Sequence, residues 1–289
     1  MLLACFIILD ILISLVLVLF TPLNNFMTNW YYILICIGTL FVVLIFLILC
    51  FVLFLTIYLG RVDFNKKAKC TKFDMMLMKW ACEFMLMVSN IKLHKRGFEK
   101  IPRDKKFLLI QNHLSDYDVL CNTWAFRGFD LTYIFKKSLL KVPFLGKFMH
   151  KIKQLAIDRE NTRDGLRVVI EAINQIKNDE RCVCVYPEGT RSKTHELAAF
   201  HAGTFKIALK AQCPLVISAI INSEAKKYHS IFRPTHVYID IVEVLEYDDF
   251  KNMTSEDLAE YAHSKINDAI IELDLLRDKP YLKRKKKNS

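Results

Sequence analysis

The sequence is nearly without charge over its first sixty residues, where Asp10 is the only charged side chain between Met1 and Gly60. That absence argues against an ordinary water-soluble start to the chain. With 53% hydrophobic residues and a mean hydropathy of +0.22, it points to a membrane. The nine cysteines include no Cys-x-x-Cys, so they lack the spacing of a zinc site or disulfide framework. Cys5, Cys36 and Cys50 fall in apolar runs, Cys182 and Cys184 alternate along an expected strand, and the better reading is buried reduced thiols in a cytosolic domain. Gly-x-Ser-x-Gly and His-Glu-x-x-His are also absent, which argues against a nucleophile-elbow hydrolase and a zinc protease. No helix-turn-helix, zinc pattern or aromatic RNA-binding motif accompanies the net charge of +11, so nucleic acid is not the expected partner. Anionic lipid or an acidic small substrate remains.

The uncharged stretch divides into Leu2–Phe20 and Trp30–Leu59 around Thr21-Pro22-Leu23-Asn24-Asn25. A bilayer core of about 30 Å needs about 20 apolar residues, so two N-terminal transmembrane helices are expected within residues 1–60. A signal peptide would need a basic n-region and a small-x-small cleavage site, and Leu2–Phe20 offers neither. Asp10 is either functional or turned toward a neighbouring helix. Arg61, Lys66, Lys67, Lys69 and Lys72 follow the second run, whereas Thr21–Asn29 carries no charge. The positive-inside tendency therefore makes this an integral membrane protein with its catalytic domain on the cytoplasmic side.

Within residues 61–106, Phe73, Met76, Leu77, Trp80, Phe84 and Met87 recur at helical spacing, as in an amphipathic interfacial helix or a core-facing stripe. From Phe107 short apolar runs alternate with helical stretches. Strands are expected at Phe107–Ile110, Leu131–Phe135, Gln154–Ile157, Cys182–Tyr186, Leu215–Ile221 and Val237–Val244. Leu166, Val169, Ile170, Ile173 and Ile176 mark one helix face. The fold class is α/β, a largely parallel sheet flanked by helices over residues 107–276, with sites at the carboxyl ends of strands. Residues 277–289 form a basic tail, either solvated or attracted to anionic lipid.

Four stretches at strand ends carry candidate chemistry. In Gln111-Asn112-His113-Leu114-Ser115-Asp116-Tyr117-Asp118, the imidazole is a candidate base and a carboxylate its orienter. Five residues of regular helix turn through roughly 500°, leaving His113 and Asp118 about 140° apart. They meet only if His113 sits in the turn before the helix. Asp116 is a rival orienter, and Ser115-x-x-Asp118 also reads as a capping box. In Pro187-Glu188-Gly189-Thr190-Arg191-Ser192, glycine permits close backbone approach and arginine suits a phosphate, although no P-loop lysine spacing is present. Lys136-Lys137-Ser138-Leu139 and Ile157-Asp158-Arg159 add cations that a parallel sheet gathers at one edge.

In this order, Asn112-His113-x4-Asp118, Lys136-Lys137-Ser138-Leu139 with Pro143 and Gly146, Ile157-Asp158-Arg159, Pro187-Glu188-Gly189-Thr190-Arg191-Ser192 and Gln212-Cys213-Pro214-Leu215-Val216 resemble the 1-acylglycerol-3-phosphate acyltransferase family. The resemblance spans Gly97 to Ile221. It implies transfer of a fatty acyl group from an acyl-CoA or acyl carrier protein thioester to lysophosphatidic acid, at a membrane bilayer and with no bound cofactor or metal. Carried over, it makes His113 the general base and Asp118 its orienter. Lys136 would lie near the reacting carbonyl or the phosphate. Arg159, Glu188, Gly189, Thr190 and Arg191 would form the acceptor-phosphate region, with Glu188 holding the arginines in place rather than touching substrate. His195 and His201 flank that loop and read as solvated; Phe200, Gly203, Phe205 and Lys206 read as packing.

Overall fold

A computed structural model describes residues 31–66, 68–192 and 197–273, together with Leu12. The expected first membrane helix with Asp10, the loop Thr21–Asn29, His195 and the basic tail lie outside the described residues. Two compact units are present, one that holds the long apolar helix before residue 61 and one built on the sheet.

The first unit holds helix α1 (Tyr31–Gly60), and its stretch Phe41–Gly60 has a mean hydropathy of 3.2. Twenty residues rise about 30 Å, so this helix is long and apolar enough to cross a bilayer. Among the described residues it is the one helix that passes that test, where two were expected. The same unit takes in Val142–Lys151, in which His150 meets the Phe64 ring edge-on at 5.2 Å.

The second unit is a seven-stranded sheet in the order β1-β7-β6-β2-β5-β3-β4. The strands are β1 (Ile91–Arg96), β2 (Leu108–Gln111), β3 (Leu131–Lys136), β4 (Leu155–Ile157), β5 (Cys182–Val185), β6 (Leu215–Ile221) and β7 (Thr235–Leu245). Every neighbouring pair is parallel except β6 with β7. The helices are α2 (Lys72–Val88), α3 (Tyr117–Ala125), α4 (Leu145–Lys151, in the first unit), α5 (Thr162–Lys177), α6 (Lys206–Ala211) and α7 (Ser255–Leu273). Side chains alternate across a strand. Leu108 and Ile110 therefore enter the layer that contains residues of α5, α6 and α7, while Phe107 and Leu109 enter the layer with Leu86, Cys121 and Ala125. A strand buried on both faces has to be apolar throughout, which explains the continuous run.

Three expectations change. The sheet does not begin at residue 107: β1 pairs with β7, so residues 69–106 belong largely to the sheet unit. Only Ile91 of β1 is buried, and an edge strand tolerates the Lys, His and Arg that hid it. Helix α2 is capped by a reciprocal Thr71–Asp74 box and packs inward through Met75, Leu77, Met78, Cys82 and Leu86. Of the expected lipid-facing stripe, Leu77 is buried, but Phe73, Phe84 and Met87 are exposed, so α2 is apolar on two faces. On α5 the buried face is Val168, Ala172, Gln175 and Ile176, and Leu166 and Ile170 point outward.

The carboxyl end of β2 is where the chain leaves the ladder, and a side chain takes over there. Asn112 Nδ2 donates to Ile220 O at 2.9 Å, and Asn112 Oδ1 accepts from Ile220 N at 2.8 Å. The amide thus replaces a backbone partner for β6. Asn112→Ala leaves both buried Ile220 groups unpaired, at about 1–3 kcal/mol each. The thermal midpoint of the detergent-solubilised protein is expected to fall by about 5 °C or more; an unchanged midpoint would contradict this account.

Candidate active site

His113 is the second residue beyond β2, in the turn that precedes α3, so the geometric condition set by the spacing is met. Its Nδ1 lies 2.7 Å from Asp118 Oδ2. Asp118 is wholly buried in the first turn of α3, and its carboxylate shapes the turn as well as facing the ring. Oδ2 accepts from Leu114 N at 2.7 Å and from Ser115 N at 2.9 Å, and Oδ1 accepts from Ser115 Oγ and Ser223 Oγ. An imidazole that faces a carboxylate through Nδ1 donates to it in the tautomer that carries its proton there, which leaves the lone pair on Nε2. Nε2 takes no hydrogen bond among the described residues. Half of the expected capping box is also present, since Ser115 N donates to Asp118 while Ser115 Oγ accepts from Tyr117 N at 3.2 Å. The helix's own first N–H is met by Ser115, and Asp118 holds the turn before it.

The loop after β5 holds the histidine from the other side. His113 N donates to Glu188 Oε1 at 2.7 Å, and Ser192 N donates to His113 O at 2.9 Å. Glu188 Oε2 accepts from Ala198 N at 3.1 Å, so this carboxylate ties three chain segments together. The structure shows it holding backbone rather than arginines. Burial raises the Glu188 pKa above its usual value, an effect opposed by the two N–H donors. The His113 ring stacks on Tyr186 with centroids 4.1 Å apart and planes 14° apart. Burial also pushes the Tyr186 phenol well above its ordinary pKa, so it stays neutral beneath the ring.

Under the turn lies a buried polar chain. Asn122 Nδ2 is 2.6 Å from Gln111 Oε1 and 3.1 Å from Tyr186 Oη, and Gln111 Nε2 donates to Ser218 Oγ at 3.0 Å. Such a network locks α3, β2, β5 and β6 in one arrangement.

The other expected site residues are placed as follows. Gly189 has φ +68°, and a Cβ there would meet His201 Nε2 at 3.0 Å, so glycine is required and His201 packs on the loop. Thr190 and Arg191 are exposed, and Arg191 pairs with Asp116 at 2.5 Å. The rival orienter is thereby engaged elsewhere. Lys136 ends β3 in register with Ile157 of β4, and Arg159 follows two residues on; both are exposed. With neighbouring strands about 4.8 Å apart, β3 and β4 lie two and three strands from β2, about 10 and 14 Å. The cations therefore share one edge of the sheet without crowding His113. Among the described residues no three His, Cys, Asp or Glu side chains are arranged to hold a metal.

Ser223 and the stacking role of Tyr186 were not legible in the local motifs. Ser223 is 105 residues from Asp118, and only its place after the apolar run Leu215–Ile221 marks it as a strand-end residue.

Comparison with known proteins bears on the same region. The sequence model of the Acyltransferase family matches residues 92–221. An uncharacterised acyltransferase of Schizosaccharomyces pombe is 30% identical over 185 residues, 61% of this chain and 64% of that protein. The 1-acyl-sn-glycerol-3-phosphate acyltransferase of Saccharomyces cerevisiae is 30% identical over 193 residues, 65% of this chain and 61% of that protein. The chain thus spans less than two thirds of the length of these two relatives. The crystal structure of the 1-acyl-sn-glycerophosphate acyltransferase from Thermotoga maritima aligns with a TM-score of 0.57 at 23% identity, covering 69% of this chain and 79% of that one. At that identity it speaks for the fold.

The Glu188 clamp is directly testable. In Glu188→Gln the amide nitrogen faces one of two N–H donors, so one of the two bonds becomes a repulsion. Amide hydrogen exchange at His113 and Ala198 is expected to speed up about tenfold or more, and wild-type exchange would remove the clamp from the account.

Proposed function

We propose that this chain is a member of the 1-acylglycerol-3-phosphate acyltransferase family and transfers a fatty acyl group to the free hydroxyl of lysophosphatidic acid. The donor is an acyl thioester on coenzyme A or acyl carrier protein, and the product is phosphatidic acid. The observation that carries this reading is the 2.7 Å contact of His113 Nδ1 with Asp118 Oδ2 at the carboxyl end of a central parallel strand.

In this mechanism His113 Nε2 removes the hydroxyl proton as the oxygen attacks the thioester carbonyl. The imidazolium that forms is stabilised by Asp118, whose charge is already held by backbone and hydroxyl donors. Collapse of the tetrahedral intermediate breaks the carbon–sulfur bond, and the proton on Nε2 passes to the departing thiolate. Lys136 faces the oxyanion or the phosphate. Arg159 and Arg191 receive the acceptor phosphate, with Glu188, Gly189 and Thr190 setting the loop. The exposed Arg191–Asp116 pair suits that role, because an exposed pair contributes about 0–1 kcal/mol and exchanges readily for a phosphate.

Both substrates are amphiphiles, and the chain supplies a surface for them. Residues 1–60 anchor it, with α1 spanning the bilayer, and Arg61, Lys66 and Lys69 assign the residues that follow to the cytoplasmic side. The exposed Phe73, Phe84 and Met87 of α2 rest at the interface, and the basic tail 277–289 adds attraction to anionic lipid.

His113→Ala is expected to lower transfer at least 100-fold while leaving expression and membrane association near wild type, and Asp118→Asn to lower it comparably by disfavouring the Nδ1–H tautomer. Activity within a few-fold of wild type in His113→Ala would exclude His113 as the base. An acceptor panel of lysophosphatidic acid, glycerol-3-phosphate and lysolipids with larger headgroups, offered with both thioester donors, tests the substrate. Acylation of another acceptor but not of lysophosphatidic acid would reassign the protein to a sister activity.

A further inference from the structure

A second concave site lies at the end of the sheet opposite His113. Arg181 and Cys182 open β5, Asp130 precedes β3, Lys153 precedes β4 and Lys106 precedes β2, so these residues gather at the amino ends of four parallel strands. With the first turns of α2 they enclose about 800 Å³. Strand β5 is four residues long, about 13 Å, which separates this cavity from the candidate catalytic turn.

Seven of the lining side chains are Lys or Arg and two are Asp or Glu. Both carboxylates are engaged: Asp130 accepts from Lys79 Nζ at 3.1 Å and Glu180 from Lys153 Nζ at 2.7 Å. Lys72 and Arg103 have no ion-pair partner among the described residues. Arg181 is only 5% exposed; its Nη2 donates to Cys70 Sγ at 2.9 Å, and its buried Nη1 has no hydrogen-bond partner. Cys70 does not neutralise it, because burial raises the thiol pKa. The Arg181 guanidinium lies in the cavity wall, and with Lys72 and Arg103 it makes the lining cationic, which suits an anion; arginine's fork fits phosphate oxygens. Met76 and Trp80 give the same cavity an apolar side.

We propose that this cavity binds a phosphate group, carried by the headgroup of an anionic phospholipid or free in solution, against Lys72, Arg103 and Arg181. A lipid's apolar portion would lie along Met76 and Trp80. The site is independent of the base at His113.

The test uses the full-length protein in detergent with Trp30→Phe and Trp124→Phe, leaving Trp80 as the one remaining tryptophan of three. Phosphatidylglycerol with dibrominated acyl chains is expected to quench Trp80 saturably, at least fivefold more tightly than dibrominated phosphatidylcholine. Lys72→Gln with Arg103→Gln, both on exposed residues, is expected to weaken that quenching at least fivefold, and His113→Ala to leave it unchanged. Inorganic phosphate identifies the source. Displacement of the lipid by phosphate alone supports a site for free phosphate, and resistance to displacement supports a lipid headgroup site. Quenching that is equal for the two lipids or unchanged by the double substitution, with no response of Trp80 emission to inorganic phosphate, would overturn the proposal.

Discussion

The buried carboxylate of Asp118 is the constraint around which the site is arranged. A charge taken out of water costs several kcal/mol unless donors surround it. Here the His113 ring, the Leu114 and Ser115 N–H groups and the Ser115 and Ser223 hydroxyls do so. Satisfying that carboxylate bends the chain sharply after β2 and draws the segment after β6 against the turn. The histidine is oriented as one consequence among several. A site built this way is rigid because the group that faces the His113 ring also holds up the local fold.

A second carboxylate plays a complementary part. Glu188 reaches from the loop after β5 to the backbone N–H of His113, and Ser192 N–H closes the same ring of contacts from beyond it. His113 is therefore held by its main chain from one side, by Asp118 from another and by Tyr186 beneath its ring. Parallel neighbours make this possible, since the carboxyl ends of β2 and β5 arrive at the same edge and their loops are adjacent. The two ends of the sheet also differ in charge chemistry. The carboxyl edge carries cations on exposed loops, whereas the amino edge sets Arg181 into the wall of a cavity.

Much of the sheet was legible because strands buried on both faces must be apolar throughout. Leu108–Gln111, Leu131–Lys136, Cys182–Val185 and Leu215–Ile221 announce themselves in this way. Strand β1 does not, because an edge strand with one buried side chain can carry Lys92, His94, Lys95 and Arg96 without penalty. The facing of α5 was misjudged for a related reason: Leu166 and Ile170 are apolar yet exposed, and the pattern counts them as core. For α2 the core-facing reading holds for Leu77, while Phe73, Phe84 and Met87 lie on a face left open.

What the sequence determined by itself is the chemistry available. A histidine and an aspartate stand five residues apart after an apolar strand, cations follow three later strands, and a nearly uncharged start is long enough to cross a bilayer. Tertiary structure decided which of these meet. It chose Asp118 over Asp116, because Asp116 is drawn outward to Arg191 while Asp118 is buried among donors. It turned Glu188 from a neighbour of arginines into a tie between backbones, and it recruited Ser223 from 105 residues away. Hydrogen-bond partners of a buried charge are set by which strand ends lie side by side, and strand order is a property of the folded sheet rather than of any local stretch of sequence.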